Sequence, residues 1–223
     1  LEGIEPASNL SGDVLIIGFG RVGQVVSQTL LARGVDVAII DTDAEQIRDA
    51  CEFGFRIYYG DGGRLDVLHA AGAEKAQAVV ICVDDREATN RIVELLQHHF
   101  PHVQVLARSF DRRHALELVA RQVHAQVRET FESALQLGEK TLLAIGVETE
   151  DAAEVVDHIR QRDRERFELE VAGGAAAGVE RLYGNLVRTA PLTRPQRTSQ
   201  ALNEEAKEVM RRDDSATPTN TTD

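Results

Sequence analysis

The segment VLIIGFGRVGQVVSQTLLARGVDVAIIDTD, residues 14–43, restricts the fold more than any other stretch of the chain. An apolar, β-rich run leads into Gly18-x-Gly20-x-x-Gly23. A segment of helical periodicity, a second apolar run and an acid, Asp41, follow. A strand, a glycine turn, a helix and a second strand in this order make a βαβ unit whose turn can lie against a phosphate. Gly18 permits the tight turn, Gly20 lets the backbone approach an anion, and Gly23 lets the helix pack closely on the strand. Phe19 and Arg21 complete the candidate loop. Asp41 stands eighteen residues after Gly23, with Thr42 beside it. A carboxylate there accepts from ribose hydroxyls and repels a 2′-phosphate.

The same alternation continues along the chain. VLII (14–17), VAII (37–40), RIYY (56–59), AVVIC (78–82) and VQVLA (103–107) are short apolar runs separated by helical patterns, with VHAQV (123–127) as a candidate sixth strand. Continuous apolar runs suit parallel strands buried on both faces. The predicted fold is α/β, a doubly wound, Rossmann-like parallel sheet over 13–128, followed by C-terminal dimerisation and ligand-binding helices. Asp61 in YYGDGG and Asp84-Asp85 in VDD end the third and fourth strands, where ligands of such folds sit. Asp61 and the amide of Gly62 are candidates for an adenine edge, although an acid at that place also serves as a helix cap. From Glu129 the pattern changes to two helices with no strand between them. Their apolar faces, with Phe131, Ala134, Leu135, Leu142, Ile145, Val155, Val156 and Ile159, need a partner, and a second copy of the chain is the expected one. Residues 129–170 are read as this extension and 171–223 as a flexible tail with one possible helix at 201–212. Residues 1–12 are read as a linker or cloning remnant.

Composition narrows the function. The formal net charge is −12, with three lysines and twenty-two arginines against thirty-seven acids. That balance disfavours nucleic acid, whose affinity comes largely from basic side chains on phosphates. The arginine bias favours small anions or acidic partner surfaces, because the guanidinium fork grips carboxylates and phosphates bidentately. No stretch offers the ~18 consecutive apolar residues of a membrane span, and the N-terminus lacks a signal pattern, so the expectation is a cytoplasmic chain. Cys51 and Cys82 lack metal or disulfide spacing and are read as small core residues. No Tyr-x-x-x-Lys pair is present, and His98, His99 and His102 in QHHFPH read as a helix end and turn rather than a metal site. With no obvious substrate domain, the glycine loop belongs to a sensor rather than an oxidoreductase.

GFGRVGQ, Asp41, FGFRIYYGDGGRLDVLHAAGAEKAQAVVICVDD, HFPHVQVLAR and RETFESAL together resemble the cytoplasmic regulatory domain, of the RCK or KTN class, of Kef glutathione-gated potassium efflux systems. The resemblance covers about residues 13–167. It implies a non-catalytic, dimeric domain attached to a membrane potassium/proton antiporter, at the cytoplasmic face of the inner membrane, with an accessory flavoprotein as a candidate partner. It implies AMP or NAD(H) in the Gly18–Gly23 loop with Arg21, Asp41 and the Asp61-Gly62 turn. It further implies glutathione near the dimer interface, with Arg128 on a ligand carboxylate and Phe53 beside the sulfur. Gln28 stands where family members carry an arginine, and Asp163 where they carry an asparagine, which implies an altered glutathione site. The alternatives are a regulatory domain of another potassium channel or uptake system gated by nucleotide alone, and an NAD-dependent oxidoreductase.

Overall fold

The computed structural model describes residues 13–182 and 191–214. Six strands, β1 (Asp13–Ile17), β2 (Val37–Asp41), β3 (Arg56–Tyr59), β4 (Ala76–Ile81), β5 (Gln104–Ser109) and β6 (Ala125–Arg128), form one parallel sheet in the order β3-β2-β1-β4-β5-β6. Helices α1 (Arg21–Ala32), α2 (Ala44–Cys51), α3 (Leu65–Ala70), α4 (Arg86–His99) and α5 (Arg112–Ala120) make the crossovers. The apolar runs are continuous because both faces of the sheet are covered. Leu15 and Ile17 enter one core with Ala38, Ile40, Val79 and Ile81, while Ile16 enters the other with Val37, Ile39 and Phe19. The side-chain period of two sends neighbouring residues of one strand into opposite layers.

The chain turns outward from β1 in both directions, first through β2 and β3 and then through β4, β5 and β6. The order reverses between β1 and β4, and folds of this kind hold their ligands in a crevice outside the carboxyl ends of the strands at such a point. Local chemistry fixes the helices beside it. The carboxylates of Asp43, Asp85 and Asp111 accept from backbone N–H groups at the starts of α2, α4 and α5. Asp85 is thus the helix cap that an acid in this place often is.

Beyond the sheet, α6 (Glu129–Ala144) and α7 (Thr149–Leu182) form an antiparallel pair joined by a turn with Gly146 at φ +92°. Ala152, Val156 and Asp163 lie on one face of α7 and are buried. Helix α7 runs past Glu170, where the tail was expected to begin. Alanine has the highest helix propensity, and the alanine-rich stretch carries the helix through its glycines. Helix α8 (Glu204–Asp214), which overlaps the stretch 201–212, belongs to a second compact unit. The expected linker at 1–12 and the final nine residues of the tail lie outside the described residues.

The cysteines divide. Cys82 is buried at the end of β4, and burial pushes its thiol pKa up to about 12. Cys51 is exposed at the end of α2, which corrects the reading of both as core: its thiol lies on the outer side of the helix and donates to the Ile47 carbonyl at 3.3 Å.

His114 in α5 is fully buried, and its Nδ1 accepts from the Phe110 N–H at 3.1 Å, so the proton of the neutral ring sits on Nε2. Burial, helped by Arg86, holds its pKa below the ordinary 6.5. The unfolded chain therefore takes up the proton first. The stability is complete above the unfolded pKa and is lost as pH falls through 6.5 towards the folded value. In thermal melts from neutral pH to about pH 5, the parent is expected to lose stability over this window, while His114→Gln shows a flatter profile. Equal slopes for the two proteins would contradict this.

Candidate functional site

The glycine loop follows β1 directly, at the point where the strand order reverses. Gly18 has φ +93°, and a Cβ there would approach Val83 N to 3.0 Å. A Cβ on Gly23 would land on the Gly18 carbonyl oxygen, so helix α1 meets the turn closer than any side chain allows. At Gly20 a Cβ would meet nothing within 4 Å, which leaves the backbone open on the ligand side. Gly20 is also the N-cap of α1, with no side chain capping this twelve-residue helix. The first N–H groups of a helix have no partner within it. These groups and the helix dipole favour an anion.

Phe19 takes a different part from the one expected of a loop residue. Its ring is fully buried, edge-on to Phe53 at 5.7 Å and to Phe55 at 6.1 Å. Its N–H donates to Asp41 Oδ2 at 2.6 Å, and the Asp43 N–H donates to Oδ1 at 2.8 Å. The carboxylate is therefore held in place by two backbone donors, with a lone pair left on each oxygen for hydroxyl donors. Thr42 is exposed beside it. Asp61 accepts from the Gly63 N–H at 2.8 Å, and Gly62 is buried, its backbone pressed against Ile17. Arg21 is exposed and reaches Glu129 at 4.0 Å.

Arg128 ends β6 and Asp163 lies across from it on α7. They form a two-point pair, with the second Arg128 nitrogen at 3.2 Å from Oδ1. Arg112, which the sequence did not single out, donates to the same oxygen at 2.6 Å and to Glu170 at 2.7 Å. The Arg128 guanidinium also lies 4.1 Å from the centre of the Phe131 ring. Phe53 is elsewhere, half-buried and stacked on Phe55 at 5.5 Å. Gln28 is exposed on α1. The structure thus joins Arg128 to Asp163, and within one chain it leaves Phe53 and Gln28 on the β1 side of the sheet.

A second group escaped the sequence. Arg108, at the end of β5, is buried and paired with both Asp84 and Glu129, while Glu129 also faces Arg21. An ion-pair chain thus links the start of α1, the ends of β4 and β5, and the start of α6. The arginine excess was the available signal, but it pointed outward to ligands. Many of these arginines instead neutralise acids of the same chain, as Arg86 does with Glu117.

The TrkA-N domain model matches residues 14–128, from the first strand to the last residue of the sheet. The chain belongs to the TrkA-N domain family. It is 41% identical to a glutathione-regulated potassium-efflux system protein of Haemophilus influenzae, covering 91% of this chain and 32% of the relative. The chain thus spans about a third of that relative's length. The Kef CTD of Shewanella denitrificans in its AMP-bound form is 38% identical, with a TM-score of 0.66, over 72% of this chain and 98% of that one. The TrkA-N domain of the Escherichia coli inner membrane protein ybaL shares the fold at 21% identity and a TM-score of 0.53, over 62% of this chain and 98% of that one. The resemblance to the Kef regulatory domain read from GFGRVGQ and RETFESAL stands on these matches. Among the described residues of this TrkA-N domain, no helix is long and apolar enough to cross a membrane.

Proposed function

We propose that this TrkA-N chain is the ligand-sensing regulatory domain of a bacterial potassium/proton antiporter, at the cytoplasmic face of the inner membrane. It holds AMP or NAD(H) in the Gly18–Gly23 loop without turning it over, and glutathione or its adducts gate potassium efflux through it. The observation that carries this reading is the likeness to an AMP-bound Kef CTD over 72% of the chain, with Asp41 bonded to the glycine loop that leads into the uncapped start of α1. The relative's description as glutathione-regulated supports the second ligand.

Dimerisation follows from the same reading. Leu137, Leu143, Ile145 and Val155 on α6, its turn and α7 are exposed, and a two-fold pairing is the commonest way for identical chains to cover such a face. It also brings the glutathione groups together. Three strand spacings, about 14 Å, separate the ends of β1 and β6, whereas an extended tripeptide spans about 11 Å. Arg128 of one copy and Phe53 of another then serve one ligand. Sedimentation at tens of micromolar is expected to give a dimer, and a monomer would exclude this arrangement.

The division of work is testable by competition binding of glutathione and an S-succinimido adduct. The carboxylates are common to both ligands, so Arg128→Ala is expected to weaken both by a similar factor of about ten or more. Phe53→Ala is expected to change the ratio of the two affinities and, in the full-length protein, to uncouple binding from potassium efflux. An unchanged ratio in Phe53→Ala, with a changed one in Arg128→Ala, would reverse the roles.

A further inference from the structure

Tyr59, the last residue of β3, pairs with Asp41 at the end of β2, and the Gly60 N–H donates to the Asp41 carbonyl at 2.9 Å. Asp61 follows directly, so two carboxylates stand at the ends of neighbouring strands. Asp61 is exposed, and its Oδ1 accepts from the Gly63 N–H at 2.8 Å, which holds the group and leaves it acceptor capacity. A cation from another element lies on the same turn. A Cβ on Gly63 would stand 3.1 Å from Asp61 Oδ1 and 3.3 Å from Nε of Arg91, an exposed residue in the second turn of α4. The neighbouring arginines are committed to acids, Arg64 to Asp66, Arg86 to Glu117, and Arg108 to Asp84 and Glu129. Arg91 is paired with no acid among the described residues.

We propose that Arg91 reads the adenine base. With the ribose on Asp41, Asp61 accepts from the adenine amino group, and the Arg91 guanidinium donates to a ring nitrogen flanking it, N1 or N7. This rests on the reading that AMP or NAD(H) occupies the glycine loop. A carboxylate and a guanidinium on one turn suit a neutral edge that carries a donor beside an acceptor, whereas a further phosphate would be repelled by Asp61. The amino edge of adenine is such an edge. Arg91 has no acid to give up, so the base gains the hydrogen bond without first breaking an ion pair, as it would at Arg64, Arg86 or Arg108.

The test is calorimetric titration of AMP, 1-deaza-AMP and 7-deaza-AMP into the purified chain and Arg91→Leu, a double-mutant cycle in which each analogue lacks one ring acceptor. The parent is expected to bind one of the two analogues about three- to tenfold more weakly than AMP. Arg91→Leu is expected to bind AMP more weakly by the same factor and to make no distinction between AMP and that analogue. Its melting temperature without ligand is expected to match the parent's, because the side chain is exposed and pairs with no acid. Which analogue shows the coupling tells N1 from N7. Were Arg91→Leu to weaken AMP and both analogues alike, Arg91 would act only through its charge, and the proposal would be overturned. A parent that binds AMP and both analogues equally would also overturn it, while the proposed function stood. Were the parent to bind no AMP at millimolar concentration, the nucleotide reading would fall and this proposal with it.

Discussion

Phe19→Ala is expected to lower the unfolding free energy by about 3–5 kcal/mol, the range for emptying a buried aromatic site. The ring is fully buried and meets Phe53 and Phe55 edge-on, so its removal leaves a cavity bounded by two rings already stacked on each other. Neither ring can collapse into the space without giving up that stacking. The loss also reaches the site, because the Phe19 N–H orients Asp41 and the ring anchors that peptide. AMP affinity is therefore expected to fall as well. Phe19→Leu keeps most of the volume and is expected to lose much less of both. Chemical denaturation of the three proteins tests this, and a cost below about 1 kcal/mol for Phe19→Ala would show that the ring is not part of the packing.

The sheet was legible in the sequence because buried parallel strands write themselves as short apolar runs and their crossovers as helical periods. RIYY, at 56–59, coincides with β3 residue for residue. The glycine loop was legible for a related reason: Gly18 needs a positive φ and Gly23 tolerates no side chain, and these demands select glycine at fixed spacing. What could not be read was pairing at long range. Arg112 and Asp163 are 51 positions apart, and Arg108 and Asp84 are 24 apart, so no local pattern marks either contact. The packing of Phe19 was hidden for the opposite reason. Its place between two loop glycines suggests a ligand contact, whereas in the fold its ring is turned into the core and its N–H is held by Asp41. The length of α7 was hidden because glycine and alanine alternate in meaning, one breaking helices and the other making them.

Asp41→Ala is expected to weaken AMP binding by about 1.5–3 kcal/mol, the value of hydrogen bonds to a charged acceptor, or roughly 10- to 150-fold. The carboxylate accepts from the Phe19 and Asp43 N–H groups, one on each oxygen, which fixes its plane and leaves acceptor capacity for two ribose hydroxyls. Alanine removes the acceptors and also strands the Phe19 N–H, so the turn itself is expected to loosen. Asp41→Asn keeps the shape but turns one oxygen into a donor facing a backbone donor, and an intermediate loss is expected. Because Asp41 joins the glycine loop to the second strand, its removal probes the nucleotide reading without touching the ion pairs at Arg128 or Arg108. The most direct measurement is AMP titration by calorimetry into the purified parent and Asp41→Ala under one set of conditions. The account predicts saturable binding to the parent, one site per chain, and at least tenfold weaker binding to the variant. Equal affinities, or no binding to the parent at millimolar AMP, would contradict it.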